Sequence, residues 1–209
     1  MPPPLHAVTN DAILSRPEFF EVAVRVMCAL GEKGALQLRT RWLPAARLYE
    51  LAVALGEAQQ SSGCWIVVND RVDIALASRA RGAQLTSRSL TVEQARSVAP
   101  ELPLGASVHS AEEAVEAARS GAGWVVAGHV YETPSHPGQP GRGAELVRAI
   151  TAATPIPCIA IGGIRPDHVP ALRAAGAHGV AVIRGIWNAS DAERAATDYL
   201  SAYESEHRP

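Results

Sequence analysis

Residues 64–78 read CWIVVNDRVDIALAS. The first half is an unbroken apolar, β-branched run that ends in Asn69 and Asp70, the signature of a strand buried on both faces of a parallel sheet. The second half changes to helical spacing at once, with no hairpin turn between them. A strand delivered straight into a helix is the unit from which parallel sheets are built, because a parallel neighbour needs a long crossover.

The same unit recurs on both sides. Upstream, a short apolar run at 5–10 precedes 17–31, where Phe19, Phe20, Ala23, Val24, Met27 and Leu30 keep helical spacing up to a glycine stop. Residues 35–40 then precede the helical pattern 44–60, with Pro44 suited to a first turn. Downstream, 83–87 is a weaker strand before 91–99, whose T-x-E-Q start predicts a capped helix. Residues 104–109 lead to Ser110 as N-cap, with Glu112 and Glu113 in the first turn. Residues 124–130 (WVVAGHV) enter a loop rich in Gly and Pro, then a helix over 142–153. Residues 157–163 precede a helix over 167–175, and 179–185 precede the last, over 190–203, capped by Ser190 or Asp191. Eight such units predict a single-domain (β/α)8 TIM barrel over residues 1–209. The competing doubly wound sheet would show a glycine fingerprint after its first strand, and VTNDAILSRP has none.

Composition narrows the partners. Nineteen Lys and Arg against 21 Asp and Glu leave a formal charge of -2, so no general field attracts nucleic acid or an anionic membrane. No apolar run approaches the length of a bilayer span, and MPPPLHAVTN lacks the features of a signal peptide. A cytoplasmic protein with a small-molecule ligand is expected, with a homo-oligomer left open. Cys28, Cys64 and Cys158 are odd in number and set among apolar residues, which predicts buried reduced thiols. No H-x-H, H-E-x-x-H or Cys/His cluster occurs, so neither a metal nor another cofactor is expected.

In a (β/α)8 barrel the reacting groups lie at the carboxyl ends of the strands. That rule gathers Thr9, Asn10, Gln37, Arg39, Arg41, Asn69, Asp70, Ser87, Ser107, His109, His129, Gly162, Gly163, Arg184 and Gly185 into one ring. Polar strand ends are general, so membership alone says little. The glycines after strands seven and eight say more, since backbone N–H groups there commonly cradle a phosphate. Gly162, Gly163, Arg184 and Gly185 are therefore the phosphate candidates. Among the histidines, His6, His168, His178 and His207 are expected in solvent, and His109 is ambiguous. His129 follows an apolar run and precedes an aromatic, which favours partial burial and proton transfer near neutral pH.

The segments QLRTR, VVNDRVDIALASRARGAQL, GASVHS, AGHVYETPSHPGQPGRG, IAIGGI and GVAVIRGI occur in this order over nearly the whole chain. Together they resemble the thiamine phosphate synthase superfamily. Within it, the synthase branch usually has QLREK, an HLGQ-x-D segment and a proline followed by T-x-T-K. Here Arg41 stands at a lysine position, QLTSRS puts Ser89 at that of a magnesium-holding aspartate, and His136 replaces the pyrophosphate lysine. GHVYET is more similar to the TenI-type thiazole tautomerases, which aromatise a carboxythiazole phosphate.

That resemblance implies His129 as the acid-base group, Glu132 as orienting residue, ring contact or mere loop start, and Arg39 or Arg41 on the substrate carboxylate. Asn69 and Ser107 are further substrate contacts. The leading expectation is an isomerase acting on a thiazole phosphate, with 133–143 as a lid. The alternatives are a divergent Mg²⁺-dependent synthase and a catalytically silent phosphate-ligand binding or regulatory protein.

Overall fold

The computed structural model describes residues 1–134 and 137–205. Eight parallel strands close into a barrel in sequence order. They are β1 (Leu5–Val8), β2 (Gly34–Leu38), β3 (Trp65–Asn69), β4 (Gly82–Leu85), β5 (Leu104–Val108), β6 (Trp124–Gly128), β7 (Cys158–Ile161) and β8 (Gly179–Val182). The seam closes through Leu5 opposite Val180 and Ala7 opposite Val182. The expected (β/α)8 architecture is present, each strand falling inside the segment read for it or one residue before it.

The helices differ in detail. The pattern over 44–60 divides into Ala45–Ala54 and Gly56–Ser62, because Leu55 both ends one helix and starts the next. Residues 167–175 start with a 3-10 turn, Pro166–His168, and continue as Val169–Ala174. Thr91 makes the expected capping box with Gln94, and Asp191, not Ser190, caps Ala192–Glu204. A short helix, Arg184–Trp187, follows β8 with no signal read for it.

Two cores result from alternation along the strands. The larger lies between barrel and helices; the smaller fills the barrel with Val8, Ala35, Val67, Trp124, Val126, Ile159 and Ala181. Trp124 dictates two neighbours: a Cβ on Gly105 would lie 2.2 Å from the indole, and one on Gly82 3.1 Å away. Glycine in β4 and β5 makes room for a ring inside the barrel.

Three expectations need correction. His6 is fully buried, since its position in β1 points into the barrel, where Gln37 and the Pro3 carbonyl receive it. His168 and His178 are half-buried: His168 stacks on Tyr131, and His178 meets the Pro2 carbonyl at 2.9 Å. Cys64 and Cys158 are buried, with thiols pushed up to about 12 by burial, but Cys28 is exposed on the outer side of Phe19–Leu30. His136 and His207 lie outside the described residues. Among the described residues, no helix is long and apolar enough to cross a membrane.

Candidate active site

The carboxyl ends of the strands surround a cavity of about 640 Å³. Of the fifteen residues gathered by the strand-end rule, Gln37, Arg39, Arg41, Asn69, Ser87, Ser107, His109, His129, Gly162, Gly163, Arg184 and Gly185 line it, as does Glu132, whereas Thr9, Asn10 and Asp70 are not in the lining. Val8, Val126, Ile161 and Ala181 contribute apolar wall. Five arginines, Arg39, Arg41, Arg88, Arg165 and Arg184, face one carboxylate, Glu132. Such a cavity is tuned to an anionic ligand although the chain as a whole is weakly acidic.

His129 is buried directly after β6, and the Gly128–His129 peptide is cis. The chain beyond it is tied to β7, with Val130 N–H donating to Ile161 O and Tyr131 N–H to Gly162 O, both at 2.9 Å. Arg142 N–H donates to the His129 carbonyl and Gly143 N–H to that of Val130, which returns the loop's far end to its origin. Glu132 is exposed at the rim.

These ties explain the paired glycines. Gly162 has φ 110° and Gly163 φ 63°, and a Cβ on Gly162 would lie 2.6 Å from His129 Cβ. A Cβ on Gly163 would lie 2.3 Å from the Glu132 carbonyl oxygen. Glycine is thus required by the packing of residues 129–132 as well as by the left-handed backbone. The N–H groups of Gly163, Ile164, Arg184 and Gly185 meet no acceptor among the described residues, which leaves them available to an anion. Tyr199 supports this corner from the last helix. Its hydroxyl donates to Ile164 O at 2.8 Å and lies where a Gly185 side chain would start, and burial pushes its pKa up to about 12. Arg184 reaches Thr133 Oγ1 at 3.3 Å, linking the β6 loop to β8.

Across the cavity, Arg39 is pulled below the ordinary guanidinium range by burial and by the nearby charges of Arg41 and Arg88. Asp11 organises the loop that carries Arg41. Its carboxylate accepts from Thr40 Oγ1 and from the N–H groups of Arg41 and Trp42, and these bonds outweigh burial to hold its pKa low. Asp70, with φ 60°, accepts from Thr86 N–H at 2.9 Å and Thr86 Oγ1 at 2.7 Å, and Arg88 stands 3.9 Å from its other oxygen. Ser89 Oγ donates to the Asp70 carbonyl. Magnesium is usually held by one or two carboxylates with substrate phosphates. Here Asp11 and Asp70 are each committed to backbone and hydroxyl donors, and Asp70 is also faced by Arg88, so these residues do not fit a Mg²⁺ site. Among the described residues, no group of three or more His, Cys, Asp or Glu side chains is arranged to hold a metal ion.

Sequence reading missed Arg88, Arg165, Asp11 and Tyr199. Arg165 follows the GGI glycines directly and was detectable by that adjacency. Tyr199 lies 35 residues from its partner Ile164, and only the fold brings them together.

The architecture and site define a class: a (β/α)8 barrel with a cationic cavity at its carboxyl face and a glycine corner open to anions. The chain belongs to the TMP-TENI family, described as thiamine monophosphate synthase, whose model matches residues 5–186. It is 37% identical over 165 residues to the thiamine-phosphate synthase of Pyrococcus furiosus, covering 79% of this chain and 80% of that one. With the thiamine-phosphate synthase of Methanoculleus marisnigri it shares 38% identity over 209 residues, 98% of each chain. A solved thiamine phosphate pyrophosphorylase from Pyrococcus furiosus superposes with a TM-score of 0.84 at 34% identity, over 96% of this chain and 95% of that one.

Proposed function

We propose that this chain is a thiazole tautomerase, an isomerase that aromatises a carboxythiazole phosphate by moving one proton. The observation that carries the reading is the contact of His129 with Gly162, which holds a buried imidazole beside the anion corner. A substrate phosphate received by Gly163, Arg184 and Gly185 would bring its ring within reach of that imidazole. Arg39 or Arg41 would pair with the ring carboxylate on the opposite wall. The imidazole takes the proton from the ring carbon bearing the carboxylate, the electron pair shifts through the ring, and the exocyclic alkylidene carbon takes the proton back. Atoms and charge balance with no co-reactant. Glu132 serves as a rim residue that orients His129 or the ring.

The second reading is a thiamine phosphate synthase, a transferase, and the names of the relatives favour it. Against it stand Asp70 committed to Thr86 and Arg88, and Ser89 in place of an aspartate. One pair of assays separates them. The tautomerase incorporates solvent deuterium at the methylene derived from the alkylidene carbon and loses most of that activity in His129→Ala. The synthase instead releases pyrophosphate from a pyrimidine pyrophosphate in the presence of Mg²⁺. Full turnover by a folded His129→Ala protein would overturn the mechanism proposed here. A third possibility, binding without turnover, would show phosphate-ligand affinity and neither reaction.

A further inference from the structure

Two buried anchors at the base of the barrel bear on which polar atoms face the cavity. The first is the Pro3 carbonyl, which can only accept. His6 sets Nε2 3.1 Å from it and Nδ1 3.3 Å from Gln37 Oε1, and Gln37 Nε2 is placed to donate to Asn69 Oδ1 at 2.7 Å. With the Gln37 oxygen facing His6 in this way, the ring would need protons on both nitrogens. Burial is the main cause lowering the His6 pKa to about 4, so the ring carries one proton at neutral pH. A backbone carbonyl cannot reverse its polarity, whereas an amide exchanges O for N by a half-turn with its heavy atoms in place. Turning over both the Gln37 and the Asn69 amide gives the one consistent order. His6 Nε2–H donates to Pro3 O, Gln37 Nε2–H to His6 Nδ1, and Asn69 Nδ2–H to Gln37 Oε1. Asn69 then turns its oxygen toward the cavity.

The second anchor is the Trp124 indole, which can only donate. It donates to Gln84 Oε1 at 2.8 Å, and Gln84 Nε2 donates to Ser107 Oγ at 3.2 Å. With its oxygen accepting from Gln84, Ser107 has its O–H free for the cavity.

We infer that His6 and Trp124 are positioning residues that fix the polarity of the cavity floor, making Asn69 an acceptor and Ser107 a donor. A matched ligand is a heterocycle that places a lone-pair nitrogen on Ser107 and a donor edge, an N–H or an acidified ring C–H, on Asn69. A carboxylate or phosphate is turned away from the Asn69 oxygen and kept at the arginine rim. For a thiazole phosphate, which rests on the reading proposed above, the ring nitrogen faces β5.

Two measurements test this. In the 15N-labelled wild-type chain at pH 7 without ligand, long-range 1H–15N correlations should show His6 protonated at Nε2 and bare at Nδ1. The Gln37 amide protons should give NOEs to His6 Hε1. An Nδ1–H ring, an imidazolium, or Gln37 amide NOEs to Asn69 in their place would overturn the relay. In the second measurement, the ring nitrogen of 15N-labelled thiazole ethyl phosphate should shift upfield on binding, and Ser107→Ala should abolish the shift. Binding with no shift overturns the Ser107 assignment. Absence of binding overturns the thiazole reading, while the His6 spectrum still decides the relay by itself.

Discussion

His129 and His6 show how one residue type is given opposite uses by depth in the barrel. At the mouth, His129 lines the cavity, and on the proposed tautomerase reading His129→Ala should lower deuterium incorporation by about 10²–10⁴-fold, the usual range for a lost acid-base group, with an unchanged thermal midpoint as the control. At the base, His6 is held neutral. Its folded pKa of about 4 lies below the ordinary 6.5, so between these values the unfolded chain takes up a proton that the folded chain refuses. Stability should therefore fall as pH drops from about 6.5 toward 4, by at most about 3 kcal/mol. Urea unfolding at pH 7 and pH 5 checks this, and His6→Gln should flatten the slope. Nothing in LHAV announces His6 as buried. Its burial follows from strand register, which decides whether alternate side chains point into the barrel or away from it.

At the scale of elements, the β6 loop and the β7 turn behave as one piece, because residues 129–132 fill the space beside Gly162 and Gly163. Gly163→Ala should be costly, combining about 1–2 kcal/mol of left-handed strain with a collision against the Glu132 carbonyl. Gly138, also in the β6 loop with φ 74°, would present its Cβ to nothing within 4 Å among the described residues. Gly138→Ala should therefore cost only about 1–2 kcal/mol of strain. Chemical denaturation measures both, and activity should fall with Gly163→Ala alone. The glycines were legible from sequence because a strand end followed by Gly-Gly is conspicuous, but one of their reasons was not. Reading 157–163 in isolation suggests space left for a phosphate, whereas the structure adds a neighbouring chain that needs the same space. Similarly, the long pattern over 44–60 concealed the break at Leu55, since helical periodicity continues across it.

At the scale of the molecule, alternating strand and helix patterns were enough to read the barrel, and the barrel rule was enough to collect twelve of its fifteen candidates around one cavity. Pairwise details such as Tyr199 on Ile164 or Arg88 beside Asp70 depend on loop geometry and were not legible. The concentration of arginines in that cavity has a solution consequence despite the net charge of -2. On the proposed reading, the KM for a phosphorylated thiazole should rise several-fold between low and high salt as counterions screen the cavity. Removing the phosphate should raise it further, and steady-state kinetics with the phosphate and its parent alcohol at two ionic strengths measure both effects.

The barrel seam adds a consequence for biosynthesis. β1 pairs with β8, so a chain emerging from the ribosome presents the outer edge of Leu5–Val8 long before Gly179–Val182 exists. At about 5–20 residues per second, that edge waits on the order of ten to thirty seconds for its partner. An unpaired strand edge is a template for association with another chain, which makes this interval, rather than the finished barrel, the vulnerable stage in the life of the protein.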